Sequence, residues 1–129
     1  MLQQGRLRCV KDGLWAYKAA HTGVLPERFS QLFPDYMPSK DVEVFYDRLA
    51  KDFEERRKKA AADLTEVDRN GAYDYLAGKI GGMLVASKTP VGSKTGKKLF
   101  RLILENDGTV RFVPEEEYQR RLKGEIPQK

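Results

Sequence analysis

The chain has 129 residues, of which 40% are hydrophobic and 33% charged, and this composition is typical of a folded domain rather than a disordered segment. It contains no stretch of the roughly 20 apolar residues that span a bilayer, so we expect the chain as given to be soluble. Cys9 is the only cysteine, which excludes an intrachain disulfide. The net charge of the chain is +5.

The N-terminal segment, residues 1–22, is predicted to be an amphipathic helix. Its apolar residues recur at spacings of three and four, which places them on one buried face. These residues are Leu7, Val10, Leu14 and Tyr17. Gly23 follows the pattern directly and is expected to adopt the left-handed conformation of a helix C-terminal cap.

Residues 24–70 are predicted to be helical in two parts. A short helix begins near Pro26 and ends before Pro34, and it carries an apolar side made of Phe29, Leu32 and Phe33. A longer helix is expected from the mid-forties to Leu64, because strong helix formers there include favourable pairs at a spacing of four such as Glu54 with Lys58.

Residues 71–129 are predicted to form a β-sheet and a closing helix within the same single domain, residues 1–129. The strand-like segments are "AYDYLAG", "MLVAS", "KLFRLILE" and "TVRFV". Asp107 and Gly108 lie between the last two, where turn residues that tolerate positive φ indicate a hairpin. Pro114 then opens a helix whose acidic first turn and basic last turn match the helix dipole.

The positive charge is concentrated in residues 88–101, which contain five basic residues and no acidic one. These are Lys88, Lys94, Lys97, Lys98 and Arg101. The remainder of the chain has 19 basic and 19 acidic residues, so the whole excess belongs to this segment. It is interpreted first as a loop that connects strands, and as an alternative it predicts binding of an anionic partner such as a nucleic acid or a lipid surface.

Residues suited to catalysis or metal binding are scarce. His21 is the only histidine and stands at a predicted helix end, where a capping or surface role is favoured over catalysis. The acid-rich turn with Asp63, Glu66 and Asp68 lacks the alternating ligands and terminal Glu of a calcium loop. The segment "VGSKTGKK" has the wrong spacing for a phosphate-binding loop and precedes a strand. We therefore expect a protein that is not an enzyme and has no metal or cofactor.

Four short motifs follow one another along the chain. They comprise Arg8-Cys9 with Tyr17, His21 and Gly23; Leu25-Pro26 with Phe29, Leu32, Pro34-Asp35-Tyr36 and Pro38; the segment "GAYDYLAG"; and Asp107-Gly108-Thr109-Val110-Arg111-Phe112-Val113 with Glu116 or Glu117. In this order they resemble the periplasmic domain of type II secretion pseudopilins and type IV pilin-like proteins. The match departs from the family pattern at Thr109, where relatives have His, and at Asp47, where many have Cys.

The resemblance implies an α+β fold in which an N-terminal helical spine packs on a small antiparallel sheet with a short C-terminal helix. It implies a structural subunit of a pseudopilus or type IV pilus-like secretion assembly, on the periplasmic side of the bacterial inner membrane. Its partners would be other pseudopilin subunits, secretion-machine proteins and the inner membrane, through a hydrophobic helix upstream of Met1 that this sequence lacks. The isolated chain is expected to be a monomer, and the alternative function is a small nucleic-acid-binding module that uses residues 88–101.

Overall fold

The structure, a computed structural model, describes residues 2–92 and 96–123, and it confirms an α+β fold with an antiparallel five-stranded sheet. The chain divides into two compact units, a helical unit of residues 4–72 and a sheet unit that begins at Tyr73. This boundary is close to the predicted change from helices to strands at residue 71. The single domain and the pilin-like arrangement stay predictions.

The helical unit begins with α1, Leu2–Ala20, as the apolar spacing predicted. Leu7, Val10 and Leu14 are fully buried. Gly23 has φ 87°, and its N–H donates to the carbonyl oxygen of Lys18 at 2.8 Å. The predicted left-handed cap is therefore confirmed.

The chain after α1 packs closely against it. Residues Phe29–Leu32 and Ser39–Phe45 form two short 3-10 helices. The first confirms a short helix that ends before Pro34, but the predicted start near Pro26 was wrong. A side chain at Gly13 of α1 would place its Cβ 2.7 Å from the Cγ of Met37, so only glycine allows this approach. The core of the unit thus forms between α1 and the loop-rich segment that follows it.

The longer helix begins later than predicted. The structure has α2 at Phe53–Ala62 and a short α3 at Glu66–Asn70, so the prediction of a helix from the mid-forties to Leu64 was wrong at its start. The carboxylate of Asp47 accepts the backbone N–H of Leu49 at 3.0 Å, which holds a turn in place of helical backbone. Leu49 itself is 87% exposed and therefore does not extend the apolar face of α2.

The sheet unit consists of five strands and one helix. The strands are β1, Tyr73–Ile80; β2, Met83–Ser87; β3, Val91–Gly92; β4, Leu99–Glu105; and β5, Val110–Pro114. β4 is central, because it pairs antiparallel with β2, β3 and β5, while β1 pairs with β2. The four predicted strands correspond to β1, β2, β4 and β5 and are confirmed, whereas β3 was not predicted, because its two residues lie in the segment interpreted as a loop.

The hairpin of β4 and β5 has the predicted turn. Gly108 has φ 93°, and its N–H donates to the carbonyl oxygen of Glu105 at 3.0 Å. The carboxylate of Asp107 accepts the N–H of Thr109 at 2.9 Å. Both residues assigned to the turn from sequence therefore fix its geometry.

The closing helix α4, Glu115–Leu122, packs on the sheet through Tyr118 and Leu122. Tyr118 belongs to a buried cluster with Met83, Ala86, Ile103 and Val113. Three glutamates in the first turn and two arginines in the last turn match the helix dipole, as predicted.

Candidate functional site

The basic segment lies at one end of the sheet unit. Lys88 follows β2, and Lys97 and Lys98 precede β4, and all three side chains are exposed. Because β2 and β4 are antiparallel, the last residues of β2 and the first residues of β4 lie at the same end of the sheet. Lys94 lies outside the described residues. The structure thus brings three of the five predicted cations to a common end of the sheet.

Arg101 does not belong to this exposed surface. Its side chain is 8% exposed, and its Nε and Nη2 atoms donate to the two carboxylate oxygens of Glu115 at 2.9 and 2.5 Å. Nη1 donates to the carbonyl oxygen of Ser87 at 3.0 Å, and the guanidinium lies 4.4 Å from the ring centroid of Tyr118. Internal partners on α4 and β2 therefore engage this guanidinium, and contact of Arg101 with an external anion stays a prediction that these bonds do not favour.

A second buried arginine holds the other end of α4. Arg121 donates from Nη1 and Nη2 to the carboxylate of Glu105, and from Nε to the carbonyl oxygen of Gly81 at 2.9 Å. Burial alone would raise the pKa of Glu105, but hydrogen bonds from Arg121 and Arg111 outweigh it and lower that pKa. From the sequence, Arg121 was predicted only to match the dipole of the closing helix. No sequence pattern indicates its contact with Glu105, which is 16 residues away.

The predicted spine residues take different environments. Leu7, Val10 and Leu14 are buried, whereas Tyr17 is only half-buried. The Tyr17 ring stacks on His21 with centroids 3.8 Å apart, and Nδ1 of His21 lies 2.9 Å from the carbonyl oxygen of Tyr17. This geometry gives His21 a structural contact at the end of α1.

The acid-rich turn before α3 is held by an arginine. Arg69 donates to Asp63 at 3.0 Å and to Glu66 at 2.8 Å. Asp68 accepts the N–H of Ser30 at 3.1 Å. Within residues 2–92 and 96–123, no group of three or more His, Cys, Asp or Glu side chains is arranged to hold a metal ion.

A polar pocket of about 180 Å³ lies between α2 and α3 in the helical unit. In its wall, Arg56 donates to Asp52 at 2.6 Å and the side-chain amide of Asn70 donates to Glu66 at 2.8 Å. Tyr46 also lines the pocket and is 2% exposed; burial raises its pKa to about 12, which keeps the hydroxyl protonated at neutral pH. In the described part of the chain this hydroxyl has no hydrogen-bond partner.

Comparison with known proteins identifies no relative of this chain. No protein family, curated protein or solved structure matches the chain. In the part of the chain that the structure describes, no helix is both long and apolar enough to cross a membrane.

Proposed function

We propose that this chain is the periplasmic part of a structural subunit in a pseudopilus or type IV pilus-like secretion assembly. The observation that carries the proposal is the order of elements: a 19-residue N-terminal helix, a helical segment, an antiparallel sheet, and a hairpin closed by a short helix. The motif residues Gly23, Asp107 and Gly108 support it, because each one stabilises the element boundary that the resemblance assigns to it.

A role without catalysis agrees with how the charged side chains are used. Arg101 and Arg121 bind carboxylates inside the sheet unit, and Arg69 binds them inside the helical unit. The Arg101 and Arg121 pairs are buried and join α4 to β4, whereas the Arg69 pairs are more exposed. The proposed partners are other subunits of the same assembly, secretion-machine proteins and the bacterial inner membrane.

The proposal is tested on the protein expressed from its own gene with a C-terminal tag. We expect a hydrophobic segment of about 20 residues upstream of Met1, and tagged protein in the inner-membrane fraction that cross-links to itself. Cys9 lies exposed on α1 and offers a native cross-linking position, with Cys9→Ser as the matched control. A gene product without the segment that remains in the aqueous fraction would overturn the proposal.

The isolated 129 residues provide a second test. Most contact in such a fibre would come from the upstream helix, so we expect the isolated chain to sediment as a monomer. A stable oligomer that persists on dilution would contradict the proposal, because it would require an interface within these residues themselves.

The alternative, a nucleic-acid-binding module, receives less support from the structure. Three exposed lysines of the basic segment lie at one end of the sheet, but Arg101 is buried and forms an ion pair with Glu115. A phosphate-contacting surface loses affinity with each cation removed from it. We therefore rank this function second.

A further inference from the structure

The helix α1 carries a second stripe that the buried core does not explain. Arg8, Lys11, Trp15 and Lys18 recur at spacings of three, four and three, so they share one face of the helix. Each lies one residue beyond a member of the apolar stripe, which turns this face about 100° around the axis. Arg8 is exposed and the other three are half-buried. We call this set the basic–aromatic face.

Two lysines lie over one indole ring in this face. The Nζ atoms of Lys11 and Lys18 are 5.6 and 5.4 Å from the ring centroid of Trp15, which are cation–π distances. Arg6, in contrast, donates to the carbonyl oxygen of Tyr46 at 2.6 Å and is used within the helical unit. Asp12 is the only acidic residue in α1. The face therefore concentrates positive charge around a single aromatic ring.

We infer that the basic–aromatic face of α1 docks on an anionic lipid surface. Indole rings favour the headgroup level of a bilayer, where one edge meets apolar chains and the N–H meets water. Lysine stems can lie along apolar surface while the ammonium groups reach lipid phosphates. Each cation held near an anionic leaflet strengthens the attraction, so three cations beside one tryptophan match this partner in both charge and polarity.

The same geometry disfavours a nucleic acid on this face. Single-stranded nucleic acids bind through bases stacked on open aromatic rings. In α1 the two lysine ammonium groups already lie over the Trp15 ring, so a base would have to displace them. The inference concerns α1 alone and does not depend on the proposed subunit function, since a chain in any assembly could present this face to lipid.

Trp15 makes the inference directly measurable, because it is the only tryptophan in the chain. The complete 129-residue protein is titrated with vesicles of equal parts phosphatidylglycerol and phosphatidylcholine, and separately with pure phosphatidylcholine vesicles. We expect the Trp15 emission to shift to shorter wavelength, and acrylamide quenching to fall, with the anionic vesicles only. Both effects should weaken in 0.5 M NaCl, where the Debye length is only a few ångströms, about 4 Å.

Paired substitutions locate the contact. Changing both Lys11→Gln and Lys18→Gln should lower the vesicle partition coefficient about 25-fold, at about fivefold per cation. The matched control changes Lys51→Gln and Lys58→Gln, two exposed lysines of the same unit outside α1, with the same loss of net charge. This control should keep most of the binding, and circular dichroism should show that both variants are folded.

Four outcomes would overturn the inference. The first is equal loss of binding in both variants, which would mean that net charge and not the face drives adsorption. The second is vesicle binding without any change in Trp15 emission or quenching. The third is failure to bind anionic vesicles at low salt. The fourth is binding of a DNA duplex more tightly than vesicles at equal phosphate concentration, if the Lys11→Gln and Lys18→Gln variant loses that binding.

Discussion

Arg121, in the last turn of α4, forms a buried two-bond ion pair with Glu105 at the end of β4. The side chain of Arg121 is 5% exposed and that of Glu105 is 14% exposed, so water screens the pair little. Among the described residues, removal of Arg121 would leave Glu105 with only the more exposed Arg111 as a charged partner, and removal of Glu105 would leave Arg121 with only Glu117, at 3.4 Å. Single substitutions at this pair therefore measure how much it contributes to the stability of the sheet unit.

Arg121→Ala should lower the free energy of unfolding by roughly 3–5 kcal/mol, the usual cost of breaking a buried pair. Arg111→Ala is the matched control, because Arg111 also donates to Glu105, at 2.8 Å, but is 47% exposed. Its loss should cost less than about 1 kcal/mol. Urea denaturation measures both, and equal losses would contradict the burial-based ranking.

Acid should weaken the sheet unit through Glu105 and Glu115. Internal arginines lower the pKa of both carboxyls below the usual 4.5, through hydrogen bonds that for Glu105 overcome the effect of burial. A lowered folded-state pKa adds stability that is present above the unfolded-state pKa and is lost as pH falls through the folded-state value. The urea midpoint should therefore be steady down to about pH 4.5 and then fall.

A substitution isolates this contribution. Glu105→Gln should lower the urea midpoint at neutral pH. The midpoint should also fall less steeply as the pH decreases, because the substitution removes one carboxylate whose ionisation stabilises the fold. Glu54→Gln is the control, since Glu54 pairs with Arg57 on the surface of α2 at 67% side-chain exposure. A pH profile that Glu105→Gln leaves parallel to the parent profile would show that Glu105 is not responsible.

Gly108→Val should destabilise the hairpin of β4 and β5 by about 1 kcal/mol or more, because a β-branched residue is strained at positive φ. The φ of Gly108 is 93°. Gly92→Val is the matched control: a Cβ at Gly92 meets no atom within 4 Å, and Gly92 lies in strand β3. Thermal melting compares the two, and an unchanged melting temperature for Gly108→Val would argue against the turn.

Tyr46→Phe should leave the free energy of unfolding unchanged or raise it by up to about 1 kcal/mol. The Tyr46 hydroxyl is buried without a hydrogen-bond partner in the described residues, and replacing such a group by hydrogen removes a desolvation cost. Phe45→Leu, at the next buried position, should instead destabilise through lost packing. A clear loss in Tyr46→Phe would indicate a bound water or ligand in the pocket.

Binding to DNA tests the basic segment. If Lys88, Lys97 and Lys98 contact phosphates, changing all three to Gln should reduce the slope of log affinity against log salt by about 2.7, at about 0.9 per phosphate contact. Gel shifts at several salt concentrations measure this slope, with Lys51→Gln and Lys58→Gln as the control. Undetectable binding by the parent protein would exclude the alternative function.

Sequence reasoning succeeded where a feature is local. The cap at Gly23 and the turn at Gly108 are recognisable because a few neighbouring residues determine φ. The start of α2 was missed because the apolar pattern from Phe45 onward fits a helix, while the turn that interrupts it depends on one Asp47 contact. Buried partners are harder still, since the burial of Arg101 depends on Glu115, 14 residues away, and charged residues are ordinarily assigned to the surface.

The bond from Arg121 to the carbonyl oxygen of Gly81 joins positions 40 residues apart, and this has a consequence for synthesis. Every strand leaves the ribosome before α4 does, so a nascent sheet unit lacks Tyr118 as cover for its apolar cluster. A product terminated before Glu115 would expose Met83 and Ile103 and lose the anchor at Gly81 as well. The apolar cluster of the sheet unit is therefore fully covered only after translation has passed residue 122.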